Sequence, residues 1–283
     1  MSSPFTDLDR PPLSPRSLER ALVTPGSLWT RVEVVAETAS TNADVNAAVA
    51  KGVPEGLIVV AEQQTAGRGR RDRQWVSPPR AGLTLSVLLR PGRPDREHEW
   101  RTLSPATFAW LPLLAGVALR EAIERVAEVE ATLKWPNDLL VNDRKCAGIL
   151  AEVSGDAVVL GIGLNVTTRA EELPETTGLP ATSLRVAGAA VTDRDPLLRA
   201  LLRGFGSWYA GWREAGGDAE MSGLLAAYRR GCSTIGRQVR VLLPAGETIT
   251  GEATEVDGAG QLVVRTADGT VHQVSAGDVL HVR

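Results

Sequence analysis

The chain has 283 residues, enough to bury a large core as one large domain or two. Hydrophobic residues make up 43% and charged residues 23%, the balance of an ordinary globular protein. A formal net charge of −3 argues against a general polyanion binder, for which a basic domain is expected.

Residues 1–16 are rich in Pro, Ser and Asp, the composition of a poorly ordered extension, and they lack the apolar stretch of a secretory signal. A short helix is predicted over 15–22, ended by Pro25-Gly26. Residues 31–37 alternate as a strand. Ser40-Thr41-Asn42-Ala43-Asp44 then opens a helix: Thr41 and Asp44 have capping-box spacing and Gly52 is a natural terminator. Strands are predicted at 57–62 and 83–89. Between them lies Gly67-Arg68-Gly69-Arg70-Arg71-Asp72-Arg73-Gln74-Trp75, which has three readings: an anion clamp, a solvated basic turn or a nucleic-acid patch. Its pinning between core strands favours an ordered functional loop.

Residues 103–126 predict a long helix kinked at Pro112. Its apolar run, Ala106 to Leu119, is shorter than the ~20 residues that cross a bilayer. Residues 131–135 form a strand running into the turn Pro136-Asn137-Asp138. A hairpin over 139–153 and a strong strand at 157–166 follow, where Gly161 and Gly163 suggest close backbone approach. Helices are predicted at 195–214 and 218–229. From Gln238 the texture changes to short alternating strands with Gly/Asp turns, as in a small barrel, so a domain boundary is placed near residue 234. The order of elements is α+β, not a doubly wound sheet.

Two distant cysteines, Cys146 and Cys232, and three scattered histidines form no CxxC, Cys/His cluster or HExxH pattern, so a thiolate zinc site is not expected. A reduced, cytoplasmic protein is the expectation. Four polar clusters stand beside predicted core strands: 40–42, 64–75, 134–138 and 161–165. Lys134, at the end of a buried strand, must carry its charge to something. Either it pairs with Asp138 or Glu152 or reaches solvent, or it is aimed at a phosphate or carboxylate. Asn137 and Asp138 could be turn formers, and Asn165 could satisfy a loop backbone. Neither a Walker A sequence nor a GxGxxG turn is present, so an anionic nucleotide would have to be held by the Arg loop and Lys134.

QTAGRGRRDRQW, KWPNDLLVNDRKCAGIL and GIGLNV, in that order, resemble the biotin protein ligases, and Ser40-Thr41-Asn42 fits that family's biotin-contacting motif. The resemblance is strongest over residues 31–166. It implies an N-terminal extension at 1–30, then a mixed-sheet catalytic domain of the biotin/lipoate ligase type, class II synthetase-like, at 31–233. A small C-terminal SH3-like β-barrel would occupy 234–283. It also implies a two-step reaction: biotin and ATP give biotinyl-5'-AMP and pyrophosphate, and a lysine of a biotin carboxyl-carrier domain then displaces AMP. Ser40, Thr41, Asn42 and Gln64 would hold biotin. Gly67, Arg68, Gly69 and Arg70 would order over biotin and adenylate, with Arg68, Arg70 and Lys134 catalytic. Arg73, Trp75, Lys134 and Asn165 join Arg68 and Arg70 around ATP. Mg²⁺ is expected with ATP, without an assignable ligand. Relatives pair through sheet edges, so a monomer or weak homodimer is expected, with no nucleic acid and no membrane.

Two departures stand out. Family members commonly carry glycine where this chain has Asp72, an anion amid the arginines that could pair with Arg71 or Arg73 and alter loop closure. Some relatives begin with a winged helix-turn-helix and act as repressors; the proline-rich stretch before Arg31 shows no recognition helix, so a repressor role is not expected. The rivals are a lipoate or octanoyl ligase or transferase on the same fold, a nucleic-acid-binding regulator using the Arg loop, and a binding protein without catalysis.

Overall fold

A computed structural model describes residues 9–71, 73–175, 178–244 and 246–282. Alternating and all-apolar runs supply a seven-stranded sheet: β1 (Arg31–Val35), β2 (Leu57–Ala61), β3 (Gly82–Leu89), β4 (Thr132–Lys134), β5 (Asp138–Val141), β6 (Arg144–Ser154) and β7 (Ala157–Asn165). Their spatial order is β1-β2-β3-β7-β6-β5-β4. Only β1 and β2 run parallel, joined through helix α2 (Thr41–Ala50); the other pairings are antiparallel, so the sheet is mixed.

The sheet's two faces differ, and that difference places the site. Leu83, Leu85, Val87, Leu160, Ile162 and Leu164 join the main core, which also holds the buried residues of α3 (Trp110–Val126) and α4 (Arg194–Glu214). On the opposite face Leu88, Val159, Leu57 and Val59 pack only with Val45 of α2 and its neighbours. Farther along β3 and β7 that face turns polar and then bare, through Ser86 opposite Gly161 and Thr84 opposite Gly163.

Pro112 does not kink a long helix. Residues Pro105–Ala109 form a 3₁₀ turn and α3 begins at Trp110, so Pro112 sits in the first α-turn, where the N–H it lacks has no intrahelical acceptor. Helix α5 (Leu224–Gly231) starts later than the sequence predicts, because Asp218 Oδ1 accepts the Glu220 and Met221 N–H groups and turns the chain there. The described part of the N-terminal extension is anchored. Helix α1 (Pro15–Leu22) follows a segment in which Arg10 is buried, donates to the Thr167 carbonyl at 3.0 Å and pairs with Glu172 at 2.5 Å. Asp72 lies outside the described residues.

The C-terminal strands β8 (Gln238–Leu242), β9 (Thr248–Val256), β10 (Leu262–Arg265), β11 (Val271–Val274) and β12 (Asp278–His281) form an antiparallel sheet ordered β11-β10-β9-β8-β12. Two indoles fix it to the first sheet: Trp110 Nε1 donates to the Gly258 carbonyl at 2.8 Å and Trp135 Nε1 to that of Gly260 at 3.0 Å. Val239, Val241, Ala253 and Val264 join the same apolar core as the strands of the seven-stranded sheet.

Candidate active site

The polar end of the α2 face is a hydrogen-bonded seat. Ser40 occupies the N-cap position of α2, yet its side chain makes no capping bond. The Gln64 carbonyl oxygen caps the helix instead, accepting the Thr41 N–H at 2.8 Å and the Thr41 hydroxyl at 3.1 Å. Ser86, fully buried on β3, sits 2.7 Å from Thr41 Oγ1 and 2.6 Å from Asn42 Oδ1, and Asn42 Nδ2 donates to Glu152 at 2.7 Å. The Thr41 hydroxyl and the Asn42 amide are therefore held by Ser86 on β3, Glu152 on β6 and Gln64.

Beside this seat runs a row without bulk. Thr84, Gly163 and Gly148 stand abreast on β3, β7 and β6. Trp75 lies on the two glycines: a Cβ on Gly163 would fall 2.7 Å from its Nε1 and 2.8 Å from its Cδ2, and one on Gly148 would meet Cζ3 at 3.5 Å. Gly161 gives the same kind of access to Asn42, whose Cγ would lie 3.1 Å from an added Cβ. The close approach expected at Gly161 and Gly163 is thus present. The Trp75 indole N–H is buried with no partner, a cost of about 1–3 kcal/mol for such a group. A flat ligand with an acceptor near that nitrogen would fit the row once the ring shifts.

The Arg/Gly segment is a narrow hairpin. Trp75 N–H bonds the Gly67 carbonyl at 3.0 Å, and Gly69 N–H bonds that of Arg73 at 2.6 Å. Gly67 allows this closure, since a Cβ there would run into the Trp75 carbonyl and lie 2.6 Å from Gln64 Nε2. The hairpin covers a cavity of about 780 Å³ lined by Gly67, Arg68, Gly69, Arg70 and Arg73 on one side and by Trp135, Asn137 and Glu152 on others. Arg70 reaches Asn137 Oδ1 at 3.1 Å; burial draws its pKa down, and Asp278 and Asp138 oppose the shift.

Two lysines share one carboxylate where the end of β4, the start of β5 and the start of β6 meet, and none of the three residues lines the cavity itself. Lys134 is buried, with Nζ 3.9 Å from Asp138 Oδ2, and Lys145 Nζ donates to Asp138 Oδ1 at 2.6 Å. Burial lowers the Lys134 pKa, Asp138 raises it, and Lys145 lowers it again. Of the partners considered for Lys134, Asp138 is the one found; Glu152 is taken by Asn42 and by Asn46 at 3.2 Å. Lys145 was missed in the sequence, where it reads as the polar start of a strand. Its Nζ would lie 3.5 Å from a Cβ on Gly148, which places it at the end of the glycine row. Asn165 is buried and donates to the Thr182 carbonyl at 2.9 Å, anchoring the 182–184 segment rather than lining the cavity.

A mixed sheet with a hydroxyl–amide seat, a bare glycine row, an arginine hairpin and paired lysines is an arrangement for joining a small acid to a phosphorylated partner. Residues 34–167 match the biotin/lipoate A/B protein ligase family, and residues 234–282 match the biotin protein ligase C-terminal domain. The chain belongs to the biotin/lipoate A/B protein ligase family. It is 42% identical to the biotin–[acetyl-CoA-carboxylase] ligase of Mycobacterium tuberculosis over 285 residues, covering 99% of this chain and 100% of that one. The bifunctional ligase/repressor BirA of Bacillus subtilis is 33% identical over 231 residues, which span 80% of this chain and 66% of BirA. Among solved structures, biotin protein ligase from Aquifex aeolicus in complex with biotin and ATP superposes with a TM-score of 0.73 at 28% identity, covering 90% of this chain and 100% of that one.

Proposed function

We propose that this protein is an ATP-dependent biotin protein ligase that makes biotinyl-5'-AMP and passes the biotinyl group to a lysine of a biotin carboxyl-carrier domain. The observation that carries the reading is the glycine row between the Thr41/Gln64 seat and the arginine-covered cavity. Once Trp75 withdraws from it, the row would admit a thin bicyclic ring with a polar head at one end, its carboxylate tail directed toward Lys145 beside Gly148 and the neighbouring Lys134 at the other. The ureido head has donors and acceptors on opposite edges, which Ser40, Thr41, Asn42 and Gln64 can meet.

Activation joins two anions. A biotin carboxylate oxygen attacks the α-phosphorus and the bond to the bridging oxygen breaks, so pyrophosphate leaves with that electron pair. Arg68, Arg70 and the lysine pair hold cationic donors where negative charge gathers, which lowers the barrier, and alignment in one cavity removes entropic cost. In the second step the acceptor amine attacks the acyl carbon, the C–O bond to phosphate breaks, AMP departs and the amine gives up a proton. The hairpin's role in the interval is to exclude water from the mixed anhydride.

Mg²⁺ would enter with the nucleotide as part of that substrate. Among the described residues, three carboxylates at or beside the cavity are engaged: Asp138 by Lys145, Glu152 by Asn42 and Asn46, and Asp278 by Arg71 and Arg73. Mg²⁺ commonly binds through phosphates and water. Among the described residues, one helical stretch, the 3₁₀ turn and α3 together over Pro105–Val126, is long and apolar enough to cross a membrane, but 67% of its apolar window is buried in the core. The free thiols Cys146 and Cys232 fit a reducing, cytoplasmic location.

The test is transfer itself. Protein, biotin, Mg·ATP and a carrier domain should yield a carrier one biotinyl group heavier by intact mass. Labelling with lipoate or octanoate but not biotin would replace this reading with the lipoyl alternative.

A further inference from the structure

The hairpin that covers the cavity is held at both ends. Its base is fixed by β2 and β3, and its tip reaches the second sheet. Asp278, the first residue of β12, accepts Arg73 Nη2 at 2.8 Å through Oδ1 and Arg71 Nη1 at 3.3 Å through Oδ2. Arg71 Nη2 also donates to the Leu242 carbonyl at 2.9 Å. Leu242 and Asp278 face each other across β8 and β12, so all three bonds land on one rung of a paired sheet. That sheet is itself fixed to the catalytic side by the Trp110 and Trp135 indoles.

We propose that Asp278 is a positioning residue that latches the arginine hairpin over the cavity and so retains the activated intermediate between the two half-reactions. A lone exposed ion pair contributes little, but here one carboxylate uses both oxygens on two guanidinium groups. The latch also answers a local problem. Arg71 and Arg73 act on Arg70 as like charges, and Arg73 on Lys134, and the Asp278 carboxylate offsets both. Arg71 holds a φ of +53°, a left-handed backbone that a non-glycine residue keeps only with outside support. With the tip pinned, Arg68 and Arg70 between base and tip stay directed at the cavity. Without it, the described residues of the hairpin keep their two-stranded backbone bonds, the Arg73–Arg70 and Arg70–Asn137 contacts and the packing of Trp75 at the base, and a two-stranded ribbon has little stability of its own in water.

The first readout needs no substrate, so it stands apart from the proposed ligase activity on which the second rests. In the full chain without ligands, Asp278→Asn should speed tryptic cleavage after Arg68, Arg70, Arg71 or Arg73 by about fivefold or more, and Asp278→Glu should restore protection to within about twofold. With biotin and Mg·ATP but no carrier, Asp278→Asn should keep the first-turnover pyrophosphate yield. Its later steady release, which measures escape or hydrolysis of the intermediate, should rise by about the same factor. Arg71→Gln, which removes the bonds to Asp278 and to the Leu242 carbonyl, should reproduce this leak. Cleavage within twofold of wild type refutes the latch; faster cleavage with an unchanged leak refutes its role in retention. A wild-type protein that releases no pyrophosphate refutes the ligase reading while leaving the cleavage result to judge the latch.

Discussion

Alanine at Gly163 separates the ligand seat from the stability of the fold. Its Cβ would fall 2.7 Å from Trp75 Nε1 and 2.8 Å from Cδ2, against 3.4–4 Å for ordinary contact. The indole must therefore withdraw by roughly 1 Å, and it can, because Trp75 sits on the hairpin and its N–H bonds to nothing. The cost to folding should stay below about 1 kcal/mol. A ligand lying on the same row gains no such freedom, since the Thr41/Gln64 seat fixes its head. Loss of about 1.4–2.8 kcal/mol of binding, tenfold to a hundredfold in Kd, is expected from overpacking of this kind. Gly161→Ala makes the contrast. Its Cβ meets Asn42, which is buried and tied to Ser86 and Glu152, so both folding and binding should suffer, with stability falling by about 2 kcal/mol. Calorimetric titration with biotin and thermal unfolding of both variants test this. Wild-type biotin affinity in Gly163→Ala would refute the glycine row as the seat.

Other expectations follow from the same geometry. Lys134→Ala should lower the adenylation rate at least about a hundredfold, and Lys145→Ala should do likewise, because each removes a cation aimed at developing phosphate charge; full carrier labelling by Lys134→Ala would remove its assigned role. His281 has its pKa lowered to about 4, by burial first and then by Lys134 and Arg237. A folded-state value below the unfolded one means the unfolded chain binds the extra proton first, so stability should fall as pH drops from about 6.5 toward 4. Partial exposure limits the loss to on the order of 1 kcal/mol, and His281→Asn should flatten the curve in denaturant titrations. A wild-type curve as flat as the variant's would contradict this.

Local pattern made most of the sheet legible. Runs such as LIVVA and LTLSVLL can only be buried strands, and the two glycines in GIGLN announced a close approach that Trp75 and Asn42 make. Where one residue type serves two ends, sequence could not choose. Ser40 and Thr41 read as caps, but Gln64, contributed by the segment after β2, takes that role and leaves them to the seat. Pro112 reads as a kink because the sequence does not say where α3 begins. Lys145 and Ser86 went unremarked inside strand-like runs, though a lysine or serine in an otherwise apolar run is a signal of a polar partner. Asp278 left no local sign, since its partners lie 205 and 207 residues away and only the docking of the second sheet brings them together.

The central claim, that the glycine row and the arginine-covered cavity activate biotin with ATP, is tested most directly by pyrophosphate–ATP exchange without a carrier domain. The account predicts exchange that requires biotin and Mg²⁺, is unsupported by lipoate, and is lost in Lys134→Ala. Exchange that ignores biotin, or that persists undiminished in Lys134→Ala, would contradict it.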